Sequence, residues 1–143
     1  MTLVTSSVPD PAPETLVLDA SAAVEALLGT TTGLAVRGRL RSTQLHAPAH
    51  LDAEVLSALG RLHRAGDITA TTVTAGLTEL ASAPITRHPL PKLLTAAWQL
   101  RDRLRLVDAL YITLSEHLGV RLLTTDARLA RSSELAELVA AAS

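Results

Sequence analysis

Residues 15–18 and 120–124 are short, mainly apolar runs, the second interrupted by Arg121, the pattern of strands covered on both faces. Elsewhere the apolar positions recur at helical spacing. Leu51, Val55, Leu59 and Leu62 mark one stripe of a helix over 50–64, which Ala65-Gly66-Asp67 stops. The segment after residue 18 reads as a helix closed by Gly29. Further helices are predicted over 32–42, over 69–82 around Val73, Leu77 and Leu80, over 91–104 around Leu93, Leu94, Ala97 and Leu100, and over 107–119. One or two more cover 126–140. Residues 44–47 before Pro48, and 85–88 between two prolines, complete the predicted strands. Strands alternating with helices predict an α/β fold with a parallel sheet. Residues 1–14, with Pro9, Pro11 and Pro13, read as a flexible N-terminal extension, and 15–140 as one domain.

Four acids fall where these elements begin or end. Asp19 and Asp126 follow apolar strands, Asp108 opens a helix, and Glu54 lies in the first turns of another. In an open α/β sheet, ligands bind beyond the carboxyl ends of the strands. Carboxylates gathered there repel one another unless a hard divalent cation neutralises them, which points to Mg²⁺ or Mn²⁺ and to phosphodiester chemistry. Each acid alone has an ordinary structural role, as a helix cap or a complement to a helix dipole; the four together carry the argument. Ser21 and Thr124 each lie two residues from one of the acids. The first is placed to cap a helix, the second to support a carboxylate by hydrogen bond. The histidines form no site in the sequence, since Pro48 separates His46 from His50.

Composition narrows the classes. The net charge is −1, so binding of nucleic acid by bulk attraction is excluded. With one Trp, one Tyr and no Phe, a base-stacking platform is disfavoured. The chain has no Cys, which excludes disulfides, zinc thiolate sites and thiol catalysis. No apolar run is long enough to span a membrane, and no basic residue precedes an apolar N-terminal stretch as in a signal peptide, so a cytoplasmic location is expected. The basic residues are nearly all arginine, with Lys92 the lone lysine. A haloacid-dehalogenase phosphatase needs a second Asp two residues after its first; Ser21 stands there. A receiver domain needs a late Lys, and Lys92 precedes the third acid.

The segments Leu18-Asp19-Ala20-Ser21-Ala22, the helix of Glu54, Val107-Asp108-Ala109-Leu110-Tyr111 and Leu123-Thr124-Thr125-Asp126-Ala127-Arg128-Leu129 resemble those of PIN-domain ribonucleases, in particular the VapC-type toxins of bacterial toxin–antitoxin pairs. The resemblance runs over roughly 15–140. It implies a three-layer α/β/α fold and Mg²⁺- or Mn²⁺-dependent endonucleolytic cleavage of RNA. It also implies a homodimer and a cognate antitoxin that blocks the active site. By position, Asp19, Glu54, Asp108 and Asp126 form the acidic quartet, with Asp19, Asp108 and Asp126 as metal ligands and Thr124 and Ser21 in support. Glu54 completes the metal's shell or orients the attacking water, and Arg37, Arg39, Arg41 or Arg128 would hold flanking phosphates. Two features depart from the family pattern: Val107 stands where many relatives carry an aromatic, and the extension before the first strand is longer. The competing expectation is a PIN-like module that binds antitoxin or RNA without cutting.

Overall fold

The structure, a computed structural model, describes residues 12–141. Five parallel strands, β1 (Glu14–Leu18), β2 (Thr43–Pro48), β3 (Ile85–His88), β4 (Arg121–Thr124) and β5 (Ala136–Leu138), form one sheet in the order β3-β2-β1-β4-β5. The chain builds outward from β1 to β3, then returns to the other side of β1. The carboxyl ends of β1 and β4 therefore flank the point where strand order reverses. Leu16, Val17, Leu122 and Leu123 are fully buried, which explains why these two strands read as mainly apolar runs.

The helices are α1 (Ala20–Leu28), α2 (Thr31–Leu40), α3 (Leu51–Arg64), α4 (Ala70–Ser82), α5 (Leu94–Trp98), α6 (Leu106–Leu118) and α7 (Ala127–Arg131). α6 packs across β1, β2 and β4, while α1 gathers α2, α3 and α4 around itself, giving the three layers expected. Gly33 lets α2 lie directly on α1: a Cβ at that position would stand 1.8 Å from the Glu25 carbonyl oxygen.

Two predicted helices are corrected. Over 91–104 only a 3₁₀ turn (Pro91–Leu93) and the five residues of α5 are helical. Beyond Trp98 the chain tightens into successive turns, with Arg101 N–H donating to Trp98 O and Arg103 N–H to Leu100 O. Over 126–140 the helix is only α7, and β5 follows it. The residues Ala-Glu-Leu of β5 favour helix intrinsically, but β4 offers an open edge: Leu122 N–H reaches Leu135 O, and Val139 N–H reaches Thr124 O. The proposed extension over 1–14 lies, up to residue 11, outside the described residues; Glu14 already belongs to β1.

Candidate active site

Asp19 leaves β1 in extended conformation and caps α1, its Oδ1 accepting from Ala22 N–H at 2.9 Å. It is 4% exposed. The Thr124 hydroxyl donates to its Oδ2 at 2.6 Å, and the Ser21 hydroxyl donates across both oxygens at 2.8 and 2.9 Å. Each hydroxyl also accepts a backbone N–H from the loop after β4. Thr125 N–H reaches Ser21 at 3.1 Å, and Asp126 N–H reaches Thr124 at 3.0 Å. Two hydroxyls thus tie the ends of β1 and β4 together around one carboxylate, with their single hydrogens both spent on it. Ser21 is not the cap that sequence suggested; Asp19 caps, and Ser21 holds Asp19. Burial pushes the Asp19 carboxyl up to about 6, against the pull of these hydrogen bonds, and nearby Asp126 pushes in the same direction.

Asp126 caps α7 through Oδ1, which accepts from Arg128 and Leu129 N–H. Its Oδ2 has no partner among the described residues. Glu54, one turn into α3, accepts the Tyr111 hydroxyl on Oε1 at 2.6 Å, and His50 Nε2 lies 3.3 Å from the same oxygen. The His50 ring stacks on Tyr111 at 4.7 Å and its Nε2 also meets Val107 O at 2.9 Å. Burial raises the Tyr111 hydroxyl well above its usual range, so it stays a donor to Glu54. Removing that donor in Tyr111→Phe should cost about 1.5 kcal/mol, read as a fall of about 5 °C in Tm, with the fold retained by circular dichroism. An unchanged Tm would mean the bond contributes nothing.

Asp108 is not a cap either. It sits in the first turn of α6, where Arg105 holds it with Nε–Oδ2 at 3.0 Å and Nη2–Oδ1 at 3.4 Å. All four acids line one cleft of about 300 Å³ beyond β1 and β4, together with a fifth carboxylate, Glu25, and with Ser21, Thr125, Tyr111, Arg61 and Arg105. As they stand, no three acidic or histidine side chains among the described residues converge on one point. Their chemistry nevertheless suits a hard divalent cation: all are oxygen donors, and Asp19 is a buried carboxylate with no cationic partner among the described residues.

Tyr111, Glu25, Arg61 and Arg105 of the cleft, and His50 beside Glu54, escaped the sequence reading. His50 and Glu54 are four apart on α3, and Asp108 and Tyr111 three apart on α6, spacings that put each pair on one helical face. Arg105 and Arg61 carried no such signal. Conversely, Arg37 is paired with Glu79, and Arg39 with Glu14 and Glu137, the former at the amino end of β1 and so away from the cleft. Of the arginines proposed from sequence, Arg128 alone lines a hollow beside the acids.

A family profile for the PIN domain matches residues 16–135. The chain is 57% identical over 125 residues to Ribonuclease VapC3 of Mycobacterium tuberculosis, covering 87% of this chain and 91% of that protein. It is 43% identical over 117 residues to Ribonuclease VapC12 of the same species, covering 82% of this chain and 91% of the relative. Among solved structures, PAE2754 from Pyrobaculum aerophilum superimposes with a TM-score of 0.64 at 22% identity, over 94% of this chain and 91% of that one. Mycobacterium tuberculosis VapC20, a toxin that cleaves the sarcin–ricin loop, superimposes with a TM-score of 0.61 at 18% identity, over 82% and 95%. With four acids lining one cleft at the strand-order reversal, a matching profile over most of its length and relatives this similar, the chain belongs to the PIN-domain family and, within it, to the VapC-type ribonucleases.

Proposed function

We infer that this chain is the toxin of a toxin–antitoxin pair and cuts RNA internally by hydrolysis at the four acids, with Mg²⁺ or Mn²⁺ bound among them. The observation that carries the reading is the meeting of Asp19, Glu54, Asp108 and Asp126 in one cleft. Asp19, Asp108 and Asp126 would hold the cation. Bound there, it would neutralise the phosphate's charge and make a bound water more acidic. Asp19 arrives pre-aligned, because Thr124, Ser21 and the α1 amide fix both its oxygens. Tyr111 and His50 engage Oε1 of Glu54 and leave Oε2 without a partner among the described residues, placed to orient the attacking water.

The proposed partners have surfaces to meet. An almost wholly apolar groove lined by Ala23, Leu27, Leu40 and Leu80 suits a helix of the antitoxin, and exposed Leu94, Trp98, Leu106 and Val107 suit a second copy in a homodimer. No helix among the described residues is long and apolar enough to cross a membrane.

The test is incubation of antitoxin-free protein with total cellular RNA in Mn²⁺ or Mg²⁺, with and without EDTA. Discrete fragments that EDTA abolishes are expected. Absence of cleavage by folded protein in either metal would overturn the enzyme reading and leave a module that binds antitoxin or RNA.

A further inference from the structure

Asp19, Thr30, Thr69 and Asp126 cap their helices with side-chain oxygens. Arg105 occupies the same position on α6, has no oxygen to offer and makes no capping bond. Its guanidinium lies on Asp108 instead, at the rim of the acidic cleft. Beside the cleft is a second hollow, about 350 Å³, whose wall carries Arg101, Arg103, Arg128 and Asp102 and which shares Arg105, Asp108 and Asp126 with the first. Arg103 is fixed by a 2.6 Å bond to Ser132 O, and Arg101 lies 4.7 Å over the Trp98 ring. The Arg128 side chain has no hydrogen-bond or ion-pair partner among the described residues. Other arginines of the chain, Arg37, Arg39 and Arg87, are committed to Glu79, Glu14, Glu137 and Asp52, none of which lines this hollow. Four guanidiniums facing three carboxylates around one hollow, in a chain of net charge −1, leave a local excess of positive charge rather than a general basic surface.

We propose that this arginine-lined hollow holds the RNA phosphate next to the one lying over the acids, and that Arg105 is its moving part, turning from Asp108 to that phosphate when a cation takes the carboxylate. The inference rests on RNA being the substrate. A phosphodiester offers paired oxygens that match the guanidinium fork, and Arg105, Asp108 and Asp126 line both compartments. Without RNA or metal, Arg105 shields Asp108 and reduces the repulsion among the acids. With both present it has an anion to move to, so the position serves by carrying a long cation where a capping residue would be short and neutral or anionic.

The test measures binding of a mixed-sequence single-stranded RNA oligonucleotide across a salt titration in Ca²⁺, a hard cation that occupies the acids while supporting little cleavage, and Mn²⁺ binding by calorimetry without RNA. Arg128→Gln should bind RNA about fivefold more weakly and lower the salt slope by about 0.7. Arg105→Ser, which installs a capping residue, should weaken RNA binding similarly yet bind Mn²⁺ about threefold more tightly, since nothing competes for Asp108. A purely structural role would not move the two affinities in opposite directions. Arg121→Gln, at the amino end of β4, should bind RNA as the native chain does. Three results overturn the subsite: no RNA binding by the native chain, unchanged affinity in both pocket variants, or an equal loss in Arg121→Gln. Unchanged Mn²⁺ affinity in Arg105→Ser overturns the movement of Arg105. Failure of the native chain to cleave would sink the nuclease reading and leave these binding results standing; normal cleavage with unaltered binding in both variants would sink the subsite alone.

Discussion

Asp19→Asn should cut RNA at least about 1,000-fold more slowly than the native chain and, without metal at neutral pH, be the more stable of the two. Both effects have one origin. Asp19 is buried, and burial pushes its carboxyl up to about 6 from 3.8. Between those values the folded chain holds a proton that the unfolded chain has lost. Stability therefore falls as pH rises from about 4 to 6, and the ionised carboxylate costs the metal-free fold about 3 kcal/mol above that range. Asparagine keeps the oxygen that caps α1 and carries no charge. Its amide suits the two surrounding hydroxyls less well, so the expected gain is about 1–2 kcal/mol, or about 5 °C in Tm at pH 7.5. The variant should also lose most of the rise in Tm that Mn²⁺ gives the native chain. Melting both proteins from pH 4 to 8, with and without Mn²⁺, checks all of this. A variant that melts below the native chain at pH 7.5 would show that Asp19 is not held at an energetic cost, and full cleavage by it would remove the quartet.

The acids were legible because of what stands beside them. An apolar strand that ends in Asp announces a carboxylate at the edge of a buried sheet, and β1 and β4 are the most buried strands of the molecule. Thr124 could be read as support from its place two residues before Asp126, though not that its hydroxyl serves Asp19, on a different strand. Partners set by tertiary approach left less trace. Tyr111 reaches Glu54 because α3 and α6 meet over the cleft, and no local spacing records that 57-residue separation. Arg105 was hidden for a related reason: an arginine before a helix reads as solvated surface until its neighbour Asp108 is known to line a cleft. The missing strand β5 shows the limit of local preference, because pairing with β4 outweighs the helical leaning of Ala, Glu and Leu in so short a segment. The overlong helix over 91–104 failed in the opposite sense: its apolar spacing is real, and Leu93 and Ala97 are buried, but the chain tightens into turns after Trp98 and frees Arg101 and Arg103 to line the second hollow.

Gly33→Ala should do the reverse of Asp19→Asn, lowering stability without touching the chemistry. The added Cβ would lie 1.8 Å from Glu25 O and 2.5 Å from its carbonyl carbon, both backbone atoms of α1 that no rotamer change can move aside. Either α2 lifts away or α1 shifts, and both loosen contacts around buried Val36 and Ala26. Overpacking of this kind costs about 3 kcal/mol, which for a domain of this size corresponds to a Tm lower by about 10 °C. The clash lies toward the carboxyl-terminal end of α1, at Glu25 of the cleft's wall but away from Asp19, Ser21 and the Ala22 amide. The folded fraction at low temperature should therefore cleave at close to the native rate. Rates at 10 °C beside melting curves make the comparison. An unchanged Tm would mean the two helices separate freely. A low-temperature rate that fell with stability would mean the geometry around Asp19 depends on how tightly α2 is seated, and would make the α1–α2 contact part of the active site's support.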